Sequence, residues 1–77
     1  MSTIITSVDR HSPAERAGIT PGEQLLTING HQIIDVLDYR FYGYDTDCRL
    51  ELREPSGAVR TVSLRKPEGR DLGLNFD

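Results

Sequence analysis

Cys48 is the only cysteine in the 77 residues, and His11 and His31 are the only histidines, so reactive chemistry can be weighed residue by residue. A thiol nucleophile needs a base and a group that orients it. Cys48 has Asp47 and Arg49 beside it and no histidine near in sequence, and it reads as a packed or partly exposed thiol. His11 precedes a helix start and His31 follows a turn, and both read as solvated. No His or Cys pair has zinc or iron–sulfur spacing, and Asp45, Asp47 and Glu51 do not form a calcium loop. No glycine-rich phosphate loop joins a strand to a helix. The chain reads as non-catalytic, with no cofactor or metal of its own. The remaining feature is the aromatic cluster Tyr39, Phe41, Tyr42 and Tyr44, more than one short helix can bury. It is either core with a hydroxyl edge or an exposed patch, with Arg40 inside it, that docks another domain or chain.

Composition sets the frame for these residues. Hydrophobic residues make up 36% and charged ones 27%, with a formal net charge of −3, which fits one soluble folded domain over residues 1–77. No apolar run approaches the roughly 20 residues of a membrane span, and Met1-Ser2-Thr3 lacks the basic flank of a secretory signal. A lone cysteine allows no internal disulfide, which points to a reducing compartment and a cytoplasmic location. The acidic balance argues against nucleic acid as a partner. Only residues 55–77, with three acids and four bases, are net positive.

The elements follow from local signals. Thr3 to Val8 is a β-branched strand. Ser12-Pro13-Ala14-Glu15 starts a short helix, with a capping serine, proline in the first turn and a glutamate three residues after the cap; Gly18 ends it. Glu23 to Ile28 is a strand that closes on the tight Asn29-Gly30 turn, and His31 to Ile34 is extended. Asp35 caps a second helix from Val36 to Tyr42, which Gly43 stops. Cys48 to Arg53 alternates with period two and pairs as a hairpin with Val59 to Leu64. Leu72, Leu74 and Phe76 alternate in a last short strand. Five to six strands with two short helices make a mixed α+β fold.

The punctuation from Ser12 to Gly30, a capped helix ending at Gly18, the Pro21-Gly22 corner and a strand ending at Asn29-Gly30, resembles the middle of bacterial PDZ domains. Asp71-Leu72-Gly73-Leu74-Asn75-Phe76 resembles the loop and strand start with which those domains hold a ligand's terminal carboxylate. Because these residues come last, the order resembles a circularly permuted PDZ domain, with the fold expected to be a small, partly open β-barrel. The stretch Asp35-Val36-Leu37-Asp38-Tyr39-Arg40-Phe41-Tyr42 and the tail Gly69-Arg70-Asp71-Leu72-Gly73-Leu74 resemble the N-terminal PDZ-like domain of a bacterial radical-SAM-like iron–sulfur protein family of unknown function.

The resemblance implies a site. Arg70, Asp71, Leu72, Gly73 and Leu74 form the carboxylate loop, in which the amides of Leu72, Gly73 and Leu74 converge on a peptide's C-terminal carboxylate. Leu72 and Leu74 line a pocket for the last ligand side chain, or are ordinary core residues. Val36, Tyr39, Arg40 and Phe76 wall the groove. Asp71 departs from the family pattern, standing where its first glycine usually is, and its carboxylate repels an incoming one; Lys66 or Arg70 is the cation that offsets this. The expected groove therefore binds C-terminal peptides weakly or not at all. Asp35, Asp38, Tyr39 and Arg40 occupy the helix start, where domains selecting a hydroxyl carry a histidine. The implied partner is a peptide C-terminus or the adjacent catalytic domain of the same chain, with neither nucleic acid nor membrane involved. An iron–sulfur cluster and S-adenosylmethionine belong to the implied parent and not to these residues. The alternative is a protease-associated PDZ module that captures C-terminal or unfolded peptides.

Overall fold

A computed structural model describes residues 2–77. The order is β1 (Ile5–Val8), α1 (Pro13–Arg16), β2 (Gln24–Ile28), β3 (His31–Gln32), α2 (Val36–Tyr42), β4 (Asp47–Arg53), β5 (Val59–Arg65) and β6 (Leu74–Phe76). The fold is α+β, with six strands in two sheets and two short helices, in agreement with the expectation.

Both helices start where a side chain caps them. The Ser12 hydroxyl accepts from the Glu15 amide at 3.1 Å, and the Glu15 carboxylate reaches back to the His11 amide at 2.8 Å. The Asp35 carboxylate accepts from the amides of Leu37 and Asp38. Such caps satisfy first-turn donors that have no partner inside the helix.

The larger sheet runs β3-β2-β4-β5 and the smaller pairs β1 with β6, all antiparallel. Asn29 and Gly30 take φ of 51° and 83°, the left-handed pair that a tight hairpin requires. The Asn29 side chain then bridges to β4, accepting from the Arg49 amide and donating to the Asp47 carbonyl. The two sheets meet where Ile4 bridges Gln24 and the Ile5 amide donates to the Glu23 carbonyl, which partly closes the barrel.

Alternation along β4 buries Cys48, Leu50 and Leu52. These join Ile5, Leu25, Ile28, Leu72 and Leu74 in a single apolar cluster. Beneath its rim lies one ion pair, in which the nearly inaccessible Glu23 carboxylate takes two hydrogen bonds from the Arg60 guanidinium. Arg60 holds the Glu23 carboxyl below its ordinary value. Among the described residues no helix is long and apolar enough to cross a membrane.

Candidate functional site

The loop between β5 and β6 is fixed from below. The Asp9 amide donates to the Gly73 carbonyl at 2.8 Å, and the Ala14 amide to the Leu72 carbonyl at 2.9 Å. Gly73 has φ of +93°, and a Cβ built there would lie 2.2 Å from the Ser12 Cβ. A close approach that demands glycine is therefore the one to the cap of α1. Leu72 and Leu74 are both buried in the core cluster, where they serve the interior, and Leu72 also reaches a cavity wall.

The expected outward convergence of amides does not occur at two of the three positions. The Gly73 amide donates to the Asp71 carboxylate at 2.8 Å, and the Leu74 amide donates to the Tyr39 hydroxyl at 3.1 Å. That hydroxyl in turn donates to Asp71 Oδ2 at 3.3 Å. Asp71 thus supplies the carboxylate that a bound peptide would bring, which is the physical consequence of an acid two residues before Gly73. The side chain expected to repel a ligand is bonded to the loop itself.

Tyr39 closes the gap between α2 and β6. It is 4% exposed, and its ring meets Phe76 edge-on at 5.1 Å. Burial pushes its phenol up, the Leu74 amide pulls the other way, and the adjacent Asp71 carboxylate adds to the rise. Tyr39 stays protonated, so it can accept from Leu74 and donate to Asp71 together. Val36 packs against the core from the same helix. On the side of β6 that faces α2, Tyr39 takes the Leu74 amide and meets the Phe76 ring, while the other edge pairs with β1.

The cations divide. Arg40 and Arg70 are exposed and flank a cavity of about 240 Å³ beside Asp71 and Leu72. Lys66 does not line that cavity; it is buried, and its ammonium donates to the Tyr44 carbonyl at 3.3 Å.

The aromatic cluster splits between core and surface. Tyr39 is core, and the half-buried Tyr42 stacks on His31 at 4.1 Å. His31 is exposed, but its ring is covered on one face by this stacking. Phe41 and Tyr44 are 74% and 55% exposed, and Ile34 and Leu37 join them at 61% and 69%. Leu37 and Phe41 lie on α2, with Ile34 just before its cap and Tyr44 just after Gly43, and Leu37, Phe41 and Tyr44 line an open groove of about 710 Å³. Ile34 and Leu37 carry no signal of exposure in the sequence, since their type suggests core. Cys48 is buried, with its thiol directed at the Asp45 carbonyl, and burial pushes it up. Among the described residues no three His, Cys, Asp or Glu side chains gather to hold a metal ion.

A strand, a glycine-containing loop and a facing helix, mounted on a partly closed barrel, define a fold of the peptide-recognition class. The family whose profile matches is the PDZ domain, over residues 4–54. That is more than half of the chain, and the chain belongs to the PDZ family. The matched span holds β1 to β4 with both helices, while β5, the loop and β6 follow it. PDZ domains are generally non-catalytic protein-interaction modules and commonly bind C-termini. No curated protein is similar enough to the chain to count as a match.

Proposed function

We propose that this PDZ domain is a docking module that works without an open carboxylate loop: the N-terminal regulatory or docking domain of a larger cytoplasmic radical-SAM-like iron–sulfur protein. Its partner is the adjacent catalytic domain of the same chain. The observation that carries this reading is the engagement of the Gly73 and Leu74 amides by Asp71 and Tyr39. A receptor for C-termini needs those donors free. The exposed stripe of Ile34, Leu37, Phe41 and Tyr44 supplies the apolar contact such docking needs. The parent assignment rests on the resemblance of residues 35–42 and 69–74, and cluster and S-adenosylmethionine chemistry belongs to the parent's other residues.

Amide hydrogen exchange tests this in the 77-residue domain alone and in the chain that carries the proposed adjacent catalytic domain. Protection gained at 37–44 in the longer protein, and lost with Leu37→Glu and Phe41→Glu together, supports docking; equal exchange in both contradicts it. The second reading, a protease-associated module capturing C-terminal or unfolded peptides, is favoured by Arg40 and Arg70 beside the loop cavity. They could bind a carboxylate through side chains in place of amides.

A further inference from the structure

We propose that the outer edge of β5, with the groove between it and α1, receives an extended acidic peptide segment as a fifth strand of the larger sheet. This surface is separate from α2 and from the carboxylate loop.

β5 is the terminal strand of the β3-β2-β4-β5 sheet. All seven of its residues pair with β4. Among the described residues, no backbone group outside β4 bonds to the backbone of Val59–Arg65; the Gly18 carbonyl accepts only from the Arg60 side chain, at 3.0 Å. Its second edge therefore presents donors and acceptors without protein partners, a template for strand addition. Proteins usually blunt such an edge with a bulge, a proline, charged side chains or a covering element, and β5 has the last two in its arginines and in α1 alongside. β5 holds no proline and its register with β4 runs without a shift.

α1 lies against this strand, and between them runs a groove of about 500 Å³. Pro13, Ala17 and Leu64 give it an apolar wall, while Arg16 stands on the helix side and Arg65 on the strand side. Among the described residues no carboxylate lines it. Arg65 is only loosely held, with Asp47 at 3.6 Å and both side chains largely exposed. The Lys66 ammonium is turned inward to the Tyr44 carbonyl and does not compete. A cationic groove on a chain of net charge −3 selects for negative charge in its occupant.

The same charges disfavour a second copy of this chain. β5 contains no aspartate or glutamate, so pairing two β5 edges would gather arginines from both copies along one seam with no acid to answer them. An incoming strand that alternates small apolar and acidic residues satisfies both requirements. Its apolar side chains meet Ala17 and Leu64, and its carboxylates meet Arg16 and Arg65.

The test uses a heptapeptide alternating valine and glutamate, acetylated and amidated so that no terminal carboxylate reaches the loop. It is titrated into isotope-labelled domain and followed by amide shifts. The expected result is saturable shifts in 59–65 and at Arg16 and Ala17, weakened about tenfold or more by Arg16→Glu with Arg65→Glu. Both side chains are exposed, so the fold survives the change, and the reversed domain should prefer a second heptapeptide, with lysine in place of each glutamate. Equal binding of the glutamate and lysine peptides by the unaltered domain overturns the proposal. So do shifts confined to 36–44 or 72–76, self-association of the domain in place of peptide binding, or no shift up to about 1 mM peptide.

Discussion

Replacing Tyr39 by phenylalanine isolates the bond that closes the groove. The ring and its edge contact with Phe76 remain, and only the hydroxyl is lost. That oxygen accepts from the Leu74 amide at 3.1 Å and donates to Asp71 at 3.3 Å. Leu74 is 4% exposed, so its amide would be left buried without a partner, at a cost of about 1–3 kcal/mol. Asp71 is exposed, and water replaces what it loses at little cost. In a domain of this size each kcal/mol lowers Tm by about 4–8 °C. Urea unfolding should therefore show a lower midpoint with an unchanged slope, and the Leu74 amide should exchange faster. Tyr42→Phe is the control, because Tyr42 is half-buried against His31 and should stay within about 0.5 kcal/mol of the parent. If Tyr39→Phe is as stable as the parent, or no worse than the control, the closed-groove geometry is wrong.

Gly73→Ala should unfold or nearly unfold the domain, with a loss above about 3 kcal/mol, because the new Cβ would meet Ser12 at 2.2 Å with φ at +93°. Gly30→Ala, at φ of +83° with nothing within 4 Å, should cost only about 1–2 kcal/mol; equal losses in thermal melts would refute the clash. Arg60 holds the Glu23 carboxyl below its ordinary 4.5, so the unfolded chain takes up that proton at a higher pH than the folded domain does. The stabilisation is whole above about pH 4.5 and fades as pH falls through the lower folded value. Glu23→Gln should therefore be less stable at neutral pH and show a flatter loss on acidification, whereas parallel profiles would contradict the pairing. The Cys48 thiol is 2% exposed and raised by burial, so a thiol reagent at mildly alkaline pH should label it only as fast as the domain opens; immediate labelling would place it at the surface.

Much of the fold was legible because its signals are local. The caps at Ser12 and Asp35, the left-handed Asn29-Gly30 turn and the period-two burial of Cys48, Leu50 and Leu52 each depend on neighbours in sequence. The site was legible in position and not in its bonding. Tyr39 reads as a groove wall from its place on α2, yet its hydroxyl meets Asp71 and Leu74 across 32 and 35 residues. Gly73 reads as a ligand contact because the packing partner that requires it, Ser12, lies at the other end of the chain. The Glu23–Arg60 pair spans 37 residues and leaves no periodic trace. Leu37 has the type of a core residue and lies outside because Tyr39 takes the interior position of α2 against β6, and Ile34 lies outside just before the helix cap. Charge at the loop is similar: Lys66 and Arg70 look equivalent in sequence, but burial removes Lys66 and leaves Arg70 at the cavity.

The most direct measurement of whether this domain captures C-termini is an amide-shift titration with one peptide in free-carboxylate and amidated forms. Neither form should move the Gly73 or Leu74 amide in the unaltered domain, and the free-carboxylate form should begin to do so in Asp71→Gly. Saturable displacement of those two amides in the unaltered domain, by the free-carboxylate form alone, would contradict this expectation.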